Sequence, residues 1–368
     1  MPAPTIQGVP TSITAFVAPA PQGPLNSPIE IASVVDFEQS FGGIAAAGAL
    51  GSAVSLFFAN GGSSARVVRV NAGTPPSIAD YGDPVAGTGI YSLDTVEILN
   101  LLCLPAVSDH PPLYAIYAVA AAYCEKRRAL LLLDLPRNSS VADAQHWMAT
   151  TGAGIRSRNA AAYYPGLLVP GAGGGGPAPV SCVGAVAGVF AREDTTRGVW
   201  RAPAGTGATI AGALGLERDL TDGDAALLSA LALNCLRSFP GTGTVIWGDR
   251  TMVGQDGGVD DYKYVPIRRF ALFLEQSIQE GTRWAVFEAN GPALWGQIAA
   301  SVTAFLQQLF TQGAFAGPTP GQSFFVRCDN TTMSEADLEA GVVNILVGFA
   351  PLHPSEFVIL TIRQVIQP

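Results

Sequence analysis

Apolar positions recur along the chain with two different periods, and the switches between them mark out its elements. "TSITAFVA" (11–18) and "ARVVRV" (65–70) read as strands, because β-branched residues dominate both. Between them, "SVVDFEQSFGG" predicts a short helix with Ser33 as N-cap, Asp36 three residues on and Gly42-Gly43 closing it. Residues 44–59 predict a second helix, ended by "NGG", and the Gly-, Pro- and Asp-rich residues 71–90 a linker. Strand "EILNLLCLP" (97–105) then leads to a helix over 111–128, strand "ALLLLDLP" (129–136), a helix across 139–151 and strand "AAAYYP" (160–165). A helix near 222–237 and strand "TVIWGD" (244–249) complete the alternation. Apolar strands alternating with helices are the mark of a mostly parallel sheet covered on both faces.

A second unit begins after the loop "VGQDGGVDD". Ile267, Phe270, Leu274 and Ile278 repeat at helical spacing behind Pro266, and strand "RWAVFEA" (283–289), a helix at 292–312 and strand "FFVRCD" (324–329) follow. "SEADLEAG" (334–341) predicts a capped helix on Ser334 and Asp337, and "VVNILVGFA" (342–350) another strand. The chain closes on Phe357, Val358, Ile359, Leu360, Thr361, Ile362 and Arg363, a sticky run with one charge to blunt it. The fold class is therefore α/β: a mostly parallel sheet core domain covered by helices, plus a C-terminal α+β domain ending in an extended strand arm.

Composition sharpens this picture. Charged residues make up only 13% of the chain, so much of its surface is expected to be covered by a partner. A net charge of −9 argues against a nucleic-acid surface, and Lys126-Arg127-Arg128 reads as a helix C-terminal turn. The longest apolar stretch, about Leu113 to Cys124, is too short to span a bilayer, and the N-terminus lacks the regions of a signal peptide. Cys103, Cys124, Cys182, Cys235 and Cys328 have neither disulfide nor zinc spacing, which fits synthesis in a reducing cytoplasm.

Catalytic motifs are hard to find. His110, His146 and His353 stand apart, and no G-x-S-x-G, HExxH or P-loop occurs. Gly171, Gly173 and Gly176 satisfy G-x-G-x-x-G, but Pro177 and Pro179 prevent the helix that a dinucleotide site needs. The acidic run Asp256 to Asp261 reads as a solvated loop. No catalytic, cofactor or metal residues are assigned, and the expectation is a protein that is not an enzyme.

Long blocks in order along the chain resemble contractile tail sheath proteins: "GVPTSITAFVAPAPQGPLNSPIEIASVVDFEQSFGG", "GDPVAGTGIYSLDTVEILNLLCLP", "NCLRSFPGTGTVIWGDRTM", "YKYVPIRRFALFLEQSIQEGTRWAVFEANGPALWGQI" and "FFVRCDNTTMSEADLEAGVVNILVGFAPLHPSEFVILTIRQ". The resemblance implies a subtilisin-like sheath core without the protease's chemistry. It implies subunits assembled in the bacterial cytoplasm into a six-fold helical array around an inner tube protein, with baseplate and cap proteins as further partners. Contraction would drive the tube through a target envelope, with no cofactor, no nucleic acid and no membrane insertion of the sheath itself. On this reading 1–70 is the N-terminal part of the core with a short arm, 71–90 a linker replacing an outer insertion, 91–255 the α/β core, and 262–355 an inner domain. Residues 356–368 are an intersubunit strand arm swung on a hinge at His353, Pro354 and Ser355, and deleting them is expected to leave a folded monomer that forms no sheath. The alternatives are an enzyme on the same α/β scaffold and a specialised sheath paralogue near baseplate or cap.

Overall fold

The computed structural model describes residues 4–71, 73, 77–105, 107–171, 175–352 and 357–366. They form two compact units, one of Thr11–Arg197 and Ala202–Arg268, the other of residues 4–10, Gly198–Arg201 and Arg269 onward.

The larger unit carries β1 (Thr14–Pro19), β2 (Ile29–Ile31), β3 (Ala65–Val70), β4 (Gly82–Asp83), β5 (Thr88–Gly89), β6 (Leu101–Cys103), β7 (Leu130–Asp134) and β8 (Ala160–Tyr164). β9 (Leu167–Val169), β10 (Ala178–Val180), β11 (Gly215–Leu216), β12 (Leu233–Phe239) and β13 (Gly243–Ile246) follow. Eight of these build one sheet in the order β13-β12-β8-β7-β6-β1-β3-β2. Its inner pairs are all parallel, and only the edge strands β13 and β2 run antiparallel, as the alternation predicts. Successive side chains of a strand point to opposite faces. Leu131 and Leu133 accordingly enter a core with Val17, Leu102 and Tyr117, while Leu130 and Leu132 enter one with Phe16, Phe57 and Phe190. Both faces are dry, which is why β7 is apolar at four consecutive positions.

Local signals fix several helices. The Ser33 hydroxyl accepts the Asp36 N–H at 3.1 Å, starting Val34–Phe41, and Gly42 ends it at φ 90°. The helix Val183–Arg197 crosses Gly48–Ala59 so closely that a Cβ on Gly184 would fall 2.1 Å from the Ala53 carbonyl oxygen, and one on Gly188 2.4 Å from that of Phe57. Two glycines four residues apart on one face are the signal of that crossing, which the sequence reading passed over.

Three expectations need correction. The helix predicted near 222–237 stops at Ala230, where Leu231 closes its last turn, and the chain turns through Ala232 at φ 69° into β12. Parallel pairing of Leu233–Cys235 with β8 then outweighs helix propensity. The strand predicted at 283–289 is a 3₁₀ turn over Arg283–Phe287, with Ala285 inward and Phe287 in solvent. Part of the 71–90 linker is folded: Ser77 and Asp80 cap the helical turn Ile78–Tyr81, and β4 pairs with β5. There Gly89 sits at φ 58°, and a Cβ would meet the Tyr81 carbonyl oxygen at 2.0 Å.

The smaller unit holds most of the helix Val265–Gly281, the helix Pro292–Thr311, and an antiparallel sheet of β14 (Phe324–Arg327), β15 (Val342–Phe349) and β16 (Val358–Val365). Phe270 is its hub, with ring centroids 5.8 Å from Trp200, 5.3 Å from Phe315 and 5.2 Å from Phe349. Residues 4–10 pack here too: the Val9 N–H donates to the Ser277 hydroxyl at 3.1 Å, and Ile6 is buried over Gly281.

Candidate assembly strand

β16 forms because Val358, Leu360 and Ile362 alternate with Ile359, Thr361 and Arg363, so every second side chain is buried. It pairs in full with β15 of the same chain, from Phe349↔Val358 to Val342↔Val365. The terminal run is thus not an unattached arm: it closes its own sheet, since eight paired residues and the buried face outweigh the short connection's entropy. In the order β14-β15-β16 it is an edge strand, and among the described residues no strand lies on its outer side. Ile359 and Val365 stay exposed on the other face, and the Phe357 ring, also partly in solvent, stacks on Phe325 at 6.2 Å. The expected hinge residues His353, Pro354 and Ser355 lie outside the described residues.

Beside the strand, Ser334 and Asp337 cap the helix Glu335–Glu339 reciprocally, as the sequence predicts. Asp337 also accepts from the Asn344 side chain at 2.9 Å and from Arg363 at 3.0 Å. Ser334, through its hydroxyl and its backbone N–H, and then Asn344 and Arg363 hold the Asp337 carboxyl below its usual range.

In a parallel sheet chemistry usually sits beyond the carboxyl ends of the strands. Here that edge presents Asp134, at the end of β7, only 3% exposed. Burial pushes its carboxyl up to about 6, the Ser181 and Ser108 hydroxyls pull the other way, and among the described residues Oδ1 has no hydrogen-bond partner. Arg137, 2.6 Å from Asp109, closes over this edge. The five cysteines are buried, and burial lifts every thiol above its ordinary range, to about 12 for Cys235 and Cys328, so none is a ready nucleophile.

The other sequence candidates stay apart. Strand β10 rather than a helix follows Gly176, and Gly173 lies outside the described residues. Asp256 is ion-paired with Arg250 at 2.7 Å and Lys263 at 3.5 Å, and Asp260 with Arg158 at 3.1 Å. Among the described residues no group of side chains is arranged to hold a metal, and no helix is long and apolar enough to cross a membrane.

The larger unit is built on a mostly parallel sheet covered on both faces, and the smaller unit on a three-stranded antiparallel sheet with β16 at its edge. Residues 86–252 match the phage tail sheath protein central domain and residues 259–365 the phage tail sheath C-terminal domain; the chain belongs to the phage tail sheath family. It is a structural subunit of the contractile-sheath type. It is similar to the sheath of an extracellular contractile injection system, PVC, in the contracted state, with 26% identity and a TM-score of 0.77 over 97% of this chain and 93% of that one. It is similar also to the contracted helical sheath of the anti-feeding prophage, with 28% identity and a TM-score of 0.79 over 98% and 95%. A tail sheath protein of Vibrio phage KVP40 is 27% identical over 153 residues, 41% of this chain and 22% of that protein. The match thus spans about a fifth of the length of that curated relative.

Proposed function

We propose that this chain polymerises into a six-fold helical sheath around an inner tube protein, between a baseplate and a cap. Contraction of the array drives the tube through a target envelope. The smaller unit is the part nearest the tube, and assembly takes place in the bacterial cytoplasm. The subunit works without catalysis, cofactor or nucleic acid, its energy stored in the extended array as it forms.

The observation that carries this reading is β16: a terminal strand, fully laddered, half-buried by alternation and open on its outer edge. In an array, the same ladder can be made with β15 of a neighbour. Exchange of identical strands conserves every contact, so it costs little beyond association, and the open edge offers a second pairing surface. His353, Pro354 and Ser355 would serve as the hinge. The whole-chain likeness to two contracted sheaths supports the same reading.

The test is a cross-link. Leu346 and Thr361 face each other in the β15–β16 register, so an L346C/T361C pair can be oxidised. Strand exchange gives covalent ladders of subunits in assembled material and closed monomers before assembly. Six-fold striated tubules by electron microscopy whose oxidised subunits all run as monomers would remove strand exchange. Absence of tubules when the tube and baseplate proteins are supplied would remove the sheath function.

A further inference from the structure

A pocket of about 420 Å³ opens at the amino edge of β7 and β8, lined by Glu125, Arg156, Arg158, Asn159, Asp260 and Arg268. Arg156 donates from Nη1 to the Met252 carbonyl at 2.8 Å and the Leu231 carbonyl at 3.4 Å, and from Nη2 to the Met148 carbonyl at 3.4 Å. These acceptors are neutral, and among the described residues no carboxylate pairs with this half-buried guanidinium. Arg158 lies 3.1 Å from Asp260, and the Arg158 and Arg268 guanidiniums both stack on the Tyr262 ring, 5.1 and 4.6 Å from its centroid. Asn159 fixes Arg268 by accepting from Nε at 2.9 Å while donating to the Ala129 carbonyl at 2.7 Å. Glu125 accepts the Ser157 hydroxyl at 2.6 Å.

Three arginines and two carboxylates line this pocket, in a chain whose net charge is −9. A half-buried cation without an ionic partner is costly to keep, and one held rigid by three carbonyls cannot swing away to water. Of its five N–H groups Arg156 spends three on those carbonyls, leaving two for a ligand.

We propose that this pocket is an oxyanion receptor, taking one carboxylate- or phosphate-type group between Arg156 and Arg158. Planar guanidiniums bind such groups through paired N–H donors, and the stacked Tyr262 pre-orients Arg158. The group has two possible sources: a free anion, or an acidic side chain presented by a second copy of this acidic chain. The pocket lies wholly within the larger unit, so its chemistry does not depend on the assembly reading.

Titration calorimetry of the whole chain with inorganic phosphate, at matched ionic strength, tests this. Phosphate is expected to bind. Arg158→Gln should weaken it about tenfold, the loss of one charge-assisted contact. Asp260→Asn removes the competing carboxylate, keeps an oxygen to accept the Tyr262 N–H, and should tighten binding several-fold. Opposite shifts from two substitutions in one ion pair are not the mark of a structural salt bridge. No phosphate binding by the unmodified chain, or equal binding by R158Q, would overturn the proposal. Light scattering separates the sources. If phosphate disperses self-associated chain and R158Q associates less, the occupant is a neighbour's carboxylate; if phosphate binds and self-association is unmoved, it is a free anion.

Discussion

Arg363 lies 3.0 Å from the Asp337 carboxylate, so the single charge within the last strand is spent on the helix cap beside it. Asp337 serves three partners at once: the Ser334 cap, Asn344 of β15 and Arg363 of β16. Asp337→Ala removes the side-chain contacts to Ser334, Asn344 and Arg363 while leaving the Ser334 hydroxyl on the backbone N–H of residue 337, and should destabilise the chain more than Arg363→Ala, which removes only one exposed ion pair. Urea midpoints of the two variants check the order; a larger loss from R363A would mean that the ion pair, not the cap, holds the strand.

Removing residues 358–368 should unfold the smaller unit rather than free a tidy monomer. Val358, Leu360, Ile362 and Ile366 are buried, and each contributes about 1.5–3 kcal/mol, together comparable with the stability of a small domain. This reverses the expectation drawn from the sequence, where the run was read as an arm outside the fold. Limited proteolysis of the truncated chain should show rapid cleavage within residues 269–350 and a surviving larger unit. A truncation as protease-resistant as the full chain would restore the arm reading.

Phe270→Ala should be among the most damaging single changes, because the ring touches Trp200, Phe273, Phe315 and Phe349. Emptying such a site costs about 3–5 kcal/mol. Phe287→Ala, whose ring is in solvent, should cost almost nothing, and thermal melting of the pair measures the contrast.

Asp134 makes the larger unit sensitive to pH. Its carboxyl titrates near 3.8 when unfolded and at about 6 when buried, so the folded state holds the proton more tightly. Stability therefore falls as pH rises from about 4 to about 6 and is flat above, a difference of about 3 kcal/mol for this group alone. Asp134→Asn should be more stable than the parent at pH 7 by about 1–3 kcal/mol, with the advantage vanishing near pH 4. Denaturation curves at pH 4 and pH 7 test this. An equal difference at both would mean that the fold does not raise the Asp134 carboxyl above its unfolded value.

Much of this protein was legible in residue order. Ser33 with Asp36 and Ser334 with Asp337 announced their helices because a cap is a local hydrogen bond between residues three apart. "LLLLD" between two helices announced a parallel strand buried on both faces, since only such a strand has no polar side. Where neighbours distant in sequence decide the outcome, local text misled. Residues 233–237 carry helix-compatible side chains, yet β8 alongside makes them a strand. "RWAVF" has strand-forming residues but pairs with no strand among the described residues, and curls into a 3₁₀ turn. Helix Val183–Arg197 depends on a backbone crossing that only the Ala53 and Phe57 carbonyls reveal. The terminal run shows the division best. Alternation fixed it as a strand with one buried face, but β-pairing is between backbones and carries no address. Only the tertiary structure could assign its partner within the chain, Val342–Phe349. The arginines at 156, 158 and 268 likewise became one pocket only when the fold brought together segments more than a hundred residues apart.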